Sequence, residues 1–240
     1  MAIKANNFQL NSLMKRIEKN GKITLYHGSR GGIKGNIEPK SRLRCDFGSG
    51  FYMGTNPEQT KGLVVEDASP VFYTLEVDFS IIPKDKILFL DGTDWLYTIM
   101  AFREKSKEFS ELKMAKEYIN TVQKYDFVIG NIADDRMNEA IKAFTEYSLT
   151  DQGLEACLAS IDYGIQILAR TEEACKTISI VSERDIFGKE ADDIRRFTQE
   201  KRAESRNIIT EIKKQYQRKG YFLNEILETE RERENDYEKD

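Results

Sequence analysis

The chain has 240 residues, a net charge of −4 and 32% charged residues, enough length for one sizeable core or a domain with an appendage. It has no apolar run of the roughly 18 residues that a membrane span needs, no apolar N-terminal core typical of a secretory signal, and no basic excess typical of nucleic-acid binding. The three cysteines are far apart, without C-x-x-C spacing, so neither a zinc site nor a redox pair is predicted. We therefore expect a cytoplasmic, soluble protein without a metal.

The first half of the chain mixes helical and strand patterns. Apolar residues at helical spacing predict a helix over 6–19, and Asn56 before Pro57 is typical of a helix start. Runs rich in β-branched and aromatic residues predict strands at 23–27, 71–77 and 87–90. Six of the fifteen glycines lie within 28–50, which predicts a loop whose backbone can approach a ligand closely.

The second half continues in the same way up to about residue 181. Short apolar runs predict strands at 127–130, 164–168 and 177–181. Helical periodicity predicts helices near 95–102, 112–122, 137–144, 154–161 and from about 171. Asp151 is the expected cap of the helix through 154–161. This mixture of short strands and several helices predicts the α+β class.

From about Glu183 the composition changes, because apolar residues become sparse and charges of both signs crowd together. A narrow apolar stripe of Ile208, Ile212 and Tyr216 predicts an exposed helix or helix pair, with residues 228–240 frayed. We therefore divide the chain into a domain at 1–185 and a charged helical extension at 186–240. The stripe suits packing on a partner, on an acceptor or on the main domain. A chain ending near residue 187 is expected to keep a cooperative melt.

Four compact segments carry the residue types suited to chemistry. They are Leu25–Ser29 (LYHGS), Asp46–Tyr52 (DFGSGFY), Asp126–Asp135 (DFVIGNIADD) and Tyr163–Gln166 (YGIQ). His27 is the only histidine of the chain. Any reaction that needs an imidazole must therefore use this residue.

Together these segments, which span about residues 23–180, resemble the ADP-ribosyltransferase superfamily. The resemblance is stronger to its His-Tyr-Glu branch, which includes the diphtheria-toxin-like enzymes and the poly(ADP-ribose) polymerases. It is strongest to an uncharacterised bacterial domain family of that branch with a His-Tyr-Gln pattern. The resemblance implies a split β-sheet core with flanking helices, NAD+ as a substrate, and transfer of ADP-ribose to a protein or nucleic acid, as a bacterial toxin or regulator does.

The resemblance also implies a role for each matched residue. His27, Tyr52 and Gln166 match the catalytic positions: His27 would bond a ribose hydroxyl, Tyr52 would stack on nicotinamide, and Gln166 would bind the ribose 2′-hydroxyl. The matched NAD+-binding positions are Gly28, Ser29, Asp46, Gly48, Gly50, Thr60 and Leu63.

Two of these positions depart from the branch. Gln166 replaces the usual Glu, and an amide cannot hold a negative charge beside a developing cation. This favours transfer of a single ADP-ribose unit, or loss of activity, and predicts that Gln166→Glu raises NAD+ hydrolysis. Leu63 stands where a second aromatic wall for nicotinamide is expected.

Alternatives remain for several of these residues. Asp134, Asp135 and Arg136 would position the acceptor or supply the missing carboxylate, or this cluster would simply cap the helix through Met137. The domain as a whole would be an active mono-ADP-ribosyltransferase, an inactive domain that binds NAD+ or a protein, or an unrelated binding protein. A neutralising or regulatory protein is a further candidate partner, bound through the C-terminal helices.

Overall fold

The computed structural model describes residues 8–41, 44–161 and 164–237. Its strands are β1 (Lys22–Ser29), β2 (Phe51–Gly54), β3 (Val71–Asp78), β4 (Ile87–Leu90), β5 (Phe127–Asn131), β6 (Ile165–Ala169) and β7 (Ile178–Asp185). Its α-helices are α1 (Phe8–Asn20), α2 (Pro57–Gly62), α3 (Gly92–Arg103), α4 (Lys107–Glu111), α5 (Lys113–Val122), α6 (Asp135–Thr145), α7 (Asp151–Ser160), α8 (Glu172–Lys176), α9 (Gly188–Tyr216) and α10 (Leu223–Tyr237).

The seven strands form one mixed sheet in the order β4-β5-β6-β2-β1-β3-β7. Only β4 and β5 are parallel, and every other neighbouring pair is antiparallel. The predicted α+β class is therefore confirmed.

The centre of the sheet is its weakest junction. Strands β1 and β2 pair only through Tyr26 and Gly54, whereas β1 and β3 pair from Lys22–Asp78 to Ser29–Val71. The sheet thus consists of a four-strand half (β4-β5-β6-β2) and a three-strand half (β1-β3-β7) that barely touch through backbone pairing. The strands nevertheless form one continuous sheet, and the split core that the resemblance implies stays a prediction.

Local capping explains where several helices begin. The Asn56 side chain accepts hydrogen bonds from the backbone N–H groups of Glu58 and Gln59, with Pro57 in the first turn of α2, as the sequence predicts. Asp134 caps α6 by accepting from Arg136 and Met137. The cap of α7 is Thr150, whose hydroxyl accepts from the Gly153 N–H, and not Asp151 as predicted.

The sheet has an apolar core on each face. One core lies beneath α1 and contains Leu13, Leu25 and Leu75. The other lies beneath α3 to α7 and contains Trp95 and Phe144, both fully buried. Burial of aromatic and aliphatic side chains on both faces holds the elements that carry the candidate site.

The charged C-terminal extension packs on the second of these cores. Ile209 and Ile212 of α9 and Leu223 and Leu227 of α10 are buried there. Residues 228–237, predicted to be frayed, continue α10, and residues 238–240 lie outside the described range. The extension is helical as predicted, but its inner face belongs to the shared core. Cooperative folding of a chain that ends near residue 187 stays a prediction, and this packing argues against it.

We expect Leu223→Ala to lower the free energy of unfolding of the whole chain by about 2–5 kcal/mol, because it leaves a cavity in the shared core. Tyr221→Ala is the control, since that side chain is 64% exposed. Chemical denaturation followed by far-UV circular dichroism measures both. A Leu223→Ala variant that melts α10 alone, with the main transition unchanged, would mean that the extension is a separate unit.

Candidate active site

The candidate site begins at the weak junction of the sheet. Continuation of the antiparallel register beyond Tyr26 and Gly54 would set Gly28 opposite Tyr52, but the strands separate first. The His27 ring enters this opening and its Nδ1 lies 2.7 Å from the Tyr52 carbonyl oxygen. Because a carbonyl only accepts, Nδ1 carries the proton and Nε2 is the acceptor nitrogen of the neutral ring. An imidazole thus replaces a missing backbone bond.

The surroundings keep the His27 ring neutral. Burial lowers its pKa below 6.5, against the opposing effect of the bond to Tyr52, because a charged imidazole loses hydration there. The ring also packs on Phe51, with centroids 4.4 Å apart. A neutral, oriented imidazole with an acceptor nitrogen can bind a hydroxyl group.

The Tyr52 hydroxyl is bound to the loop that precedes β2. It accepts from the Phe47 N–H at 3.0 Å and donates to the Gly48 carbonyl at 2.8 Å. Burial, with the nearby Asp46 charge as a second cause, raises the pKa of Tyr52 well above 10, so the phenol stays protonated. The stacking of Tyr52 on nicotinamide stays a prediction, whereas its hydroxyl is hydrogen-bonded to the loop backbone in the structure.

Three glycines of the predicted site permit close packing. A Cβ on Gly48, which has a φ of +85°, would lie 2.7 Å from Phe102, and one on Gly50 would lie 2.2 Å from Leu168. A Cβ on Gly28 would lie 2.9 Å from the Thr60 carbonyl of α2. These positions therefore bring the loop against α3 and β6, and α2 against β1.

A buried polar network lies beside the junction. The Asp46 carboxylate forms an ion pair with Arg103 through its Oδ1, and its Oδ2 accepts from Gln166 Nε2 at 2.7 Å. Gln166 Nε2 also donates to the Asn131 carbonyl at 2.9 Å. Removal of one member of a buried ion pair typically destabilises a protein by about 3–5 kcal/mol, so this network holds the loop, α3 and β6 together.

This network accounts for an amide at position 166. Both partners of Nε2, the Asp46 carboxylate and the Asn131 carbonyl, are acceptors. A carboxylate at the same place would face Asp46 without a proton to share, and like charges at this distance repel strongly. Gln166 is therefore matched to Asp46.

The first residue of the YGIQ segment, Tyr163, lies outside the described residues.

A cleft of about 770 Å³ opens next to the junction, within the range of small-molecule sites. Of the predicted site residues, its wall contains Gly28, Leu63 and 134–136. The wall does not contain Ser29, His27, Asp46, Gly48, Gly50, Tyr52, Thr60 or Gln166. Four of these residues are chain neighbours of lining residues: His27 and Ser29 flank Gly28, Asp46 follows Cys45, and Thr60 follows Gln59.

Both aspartates of the cluster at the cleft, Asp134 and Asp135, form ion pairs with arginines. Asp134 accepts from Arg136 Nε at 2.8 Å besides capping α6, so the capping alternative is confirmed. Asp135 forms an ion pair with Arg202 of α9. A role in binding an acceptor stays a prediction.

Sequence reasoning missed the part of the wall that α9 supplies. Phe197, Thr198 and Lys201 of this helix line the cleft, and a Cβ on Gly62 of α2 would lie 2.9 Å from the Thr198 hydroxyl. Phe197 is 40% exposed. The sequence signal that could have indicated this wall is Phe197, an aromatic residue within a strongly charged stretch.

Two further findings concern the part of the chain that the structure describes. It contains no group of three or more His, Cys, Asp or Glu residues arranged to hold a metal ion. None of its helices has the length and apolar composition that crossing a membrane requires.

Most elements that build this site, though not α9, lie within a match to a protein-family model. Residues 23–180, from β1 to the start of β7, match the model of a protein family of unknown function, DUF3990. The chain belongs to this family. No curated protein and no solved structure gives a significant match to the chain.

For this DUF3990 protein we expect the single imidazole to titrate below pH 6.5 with its proton on Nδ1, because burial disfavours the charged ring. Two-dimensional ¹H–¹⁵N NMR of the untagged chain reports both properties without assignment, since His27 is the only histidine.

The same shift sets the sign of a stability effect. Because the pKa of His27 is lower in the folded state, the unfolded state binds the proton more readily. The contribution of the neutral His27 to the free energy of unfolding is therefore fully present above about pH 6.5 and is lost as the pH falls through the folded pKa. His27→Gln should lack this component. A pKa at or above 6.5, or an Nε2–H tautomer, contradicts the described geometry.

Proposed function

We propose that this protein is an NAD+-dependent mono-ADP-ribosyltransferase that acts on a macromolecular acceptor. The observation that carries the proposal is the junction of the sheet, where the neutral His27 bonds the Tyr52 carbonyl at 2.7 Å beside a cleft of about 770 Å³. The resemblance of the His27, Tyr52 and Gln166 segments to the ADP-ribosyltransferase superfamily supports the same chemistry.

In the proposed reaction the bond between the nicotinamide nitrogen and ribose C1′ breaks. The bonding electrons leave with the nitrogen, neutral nicotinamide departs, and C1′ passes through an oxocarbenium-like state. The acceptor nucleophile then forms a bond to C1′ and loses its proton. His27 Nε2 would accept a hydrogen bond from a ribose hydroxyl and hold the sugar during this step.

The Asp46–Gln166 pair bears on the stabilisation of that cation. Gln166 supplies no charge itself, but it donates to a carboxylate at 2.7 Å. That carboxylate is already paired with Arg103, so its field at the sugar is weakened. This arrangement favours slow transfer of one unit over polymer synthesis. It also reverses the expectation for Gln166→Glu, because the new carboxylate would face Asp46 and lower stability before it could raise hydrolysis.

One observation favours a second candidate, an inactive domain that binds NAD+ or a protein. His27, Tyr52 and Gln166 are not among the residues that line the cleft. Unless the wall opens when a ligand enters, the three side chains would hold the fold and the cleft alone would bind. Measurement of binding and turnover on the same sample separates the two candidates.

We expect the purified chain to release nicotinamide from NAD+, and to attach a single ADP-ribose unit to any acceptor, as seen by intact-mass spectrometry. His27→Ala should lower kcat/KM for nicotinamide release about tenfold or more, because a hydrogen bond to the reacting sugar is lost. Lys22→Ala is the control, since its exposed side chain lies on the same strand. Equal activity of a folded His27→Ala variant would place the site elsewhere, and a ladder of adducts would contradict single-unit transfer.

A further inference from the structure

The strongest unexplained group in the cleft is the side-chain amide of Gln59. Its Nε2 and Oε1 are both buried, and neither has a hydrogen-bond partner among the residues that the structure describes. Buried amides are nearly always bonded, and leaving such a group unsatisfied typically destabilises a fold by about 1–3 kcal/mol. An amide left in this state in a cleft wall points to a ligand that completes it.

The position of Gln59 connects it to the junction of the sheet. It lies in α2, one turn after the Asn56 cap that accepts its backbone N–H at 3.2 Å, and it lines the cleft together with Gly28 and Leu63. A Cβ on Gly54 would lie 3.7 Å from Gln59 Oε1. Gly54 is the residue of β2 that pairs with both Tyr26 and Gln166. The amide therefore lies next to the one backbone pair that joins the two halves of the sheet.

A primary amide presents one acceptor and one pair of donors in a single plane. The group that satisfies both at once is planar and has a donor next to an acceptor. A carboxamide has this pattern, and so does the edge of adenine that carries N6 and N7, to which amide side chains bind in a bidentate manner. Phosphates and carboxylates do not have it, since they would leave Oε1 without a donor.

We propose that Gln59 binds a planar ligand group carrying an adjacent donor and acceptor, either a carboxamide or an adenine edge. The inference rests on the proposed function, because NAD+ contains one group of each kind. Gln59 then binds one end of the dinucleotide in the cleft, while His27 holds the nicotinamide ribose. Without a ligand the Gln59 amide lacks hydrogen-bond partners among the described residues, which lowers stability. We interpret this loss as the cost of a group that serves recognition.

The variant that tests this is Gln59→Leu, which keeps the approximate volume and removes both polar atoms. Gln199→Leu is the matched control, because Gln199 is an exposed glutamine of α9 outside the cleft wall. Calorimetric titrations with NAD+, nicotinamide and adenosine measure binding. Thermal melts without ligand measure stability.

We expect Gln59→Leu to bind NAD+ about tenfold more weakly than the parent and to melt at the same temperature or higher, since it removes an unsatisfied buried amide. A matching loss for nicotinamide assigns Gln59 to the carboxamide, and a matching loss for adenosine assigns it to adenine. Gln199→Leu should change neither binding nor melting.

The failures of the two proposals are distinguishable. If the parent binds NAD+ and Gln59→Leu binds all three probes equally well, the role of Gln59 is overturned and the proposed function stands. A lower melting temperature for Gln59→Leu also overturns it, because the amide would then be satisfied within the protein. If the parent binds none of the three probes, both proposals are overturned.

Discussion

The bond between the His27 imidazole and the Tyr52 carbonyl is the interaction on which the rest of the site depends. The two halves of the sheet share one backbone pair, so their relative position at the opening is set by side chains. The His27 ring provides the direct link at 2.7 Å. The same bond fixes the tautomer and leaves the other ring nitrogen as an acceptor. The hydrogen bond that links the two halves therefore also orients the imidazole for binding a hydroxyl group.

The buried charges complete this constraint from the other side. Asp46 binds Arg103 and Gln166 at once, and these residues come from the glycine-rich loop, α3 and β6. Because the group must be fully paired to be tolerated in the core, it fixes the loop whose backbone also binds the Tyr52 hydroxyl. These hydrogen bonds and the ion pair therefore connect the loop to the junction, and α9 supplies part of the neighbouring cleft wall.

Local patterns in the sequence predicted most elements but not their meeting points. The runs at 71–77 and 87–90 and the Asn56 cap were read correctly, because β-branched content and capping chemistry are local. Strand β2 was missed as an element, since a four-residue strand that ends in a glycine carries little periodicity. The cap at Thr150 instead of Asp151 is a one-residue difference between two competent side chains.

The contacts that shape the site join distant parts of the chain. Asp46 and Gln166 are 120 positions apart, so the reason for an amide at 166 cannot be read from either segment alone. The contribution of α9 to the cleft was hidden for the same reason: its charged composition is typical of a solvated helix, and its buried isoleucines become visible only once the core beneath them is known.

The most direct test of the central claim is an NAD+ titration followed at the ¹⁵N resonances of the His27 ring. If the junction is the substrate site, the Nε2 resonance shifts and saturates at one equivalent. Nδ1 meanwhile keeps its proton and its hydrogen bond to the Tyr52 carbonyl, because only the acceptor nitrogen meets the sugar. Unchanged resonances at NAD+ concentrations that saturate calorimetric binding would contradict the account, since the dinucleotide would then bind away from His27.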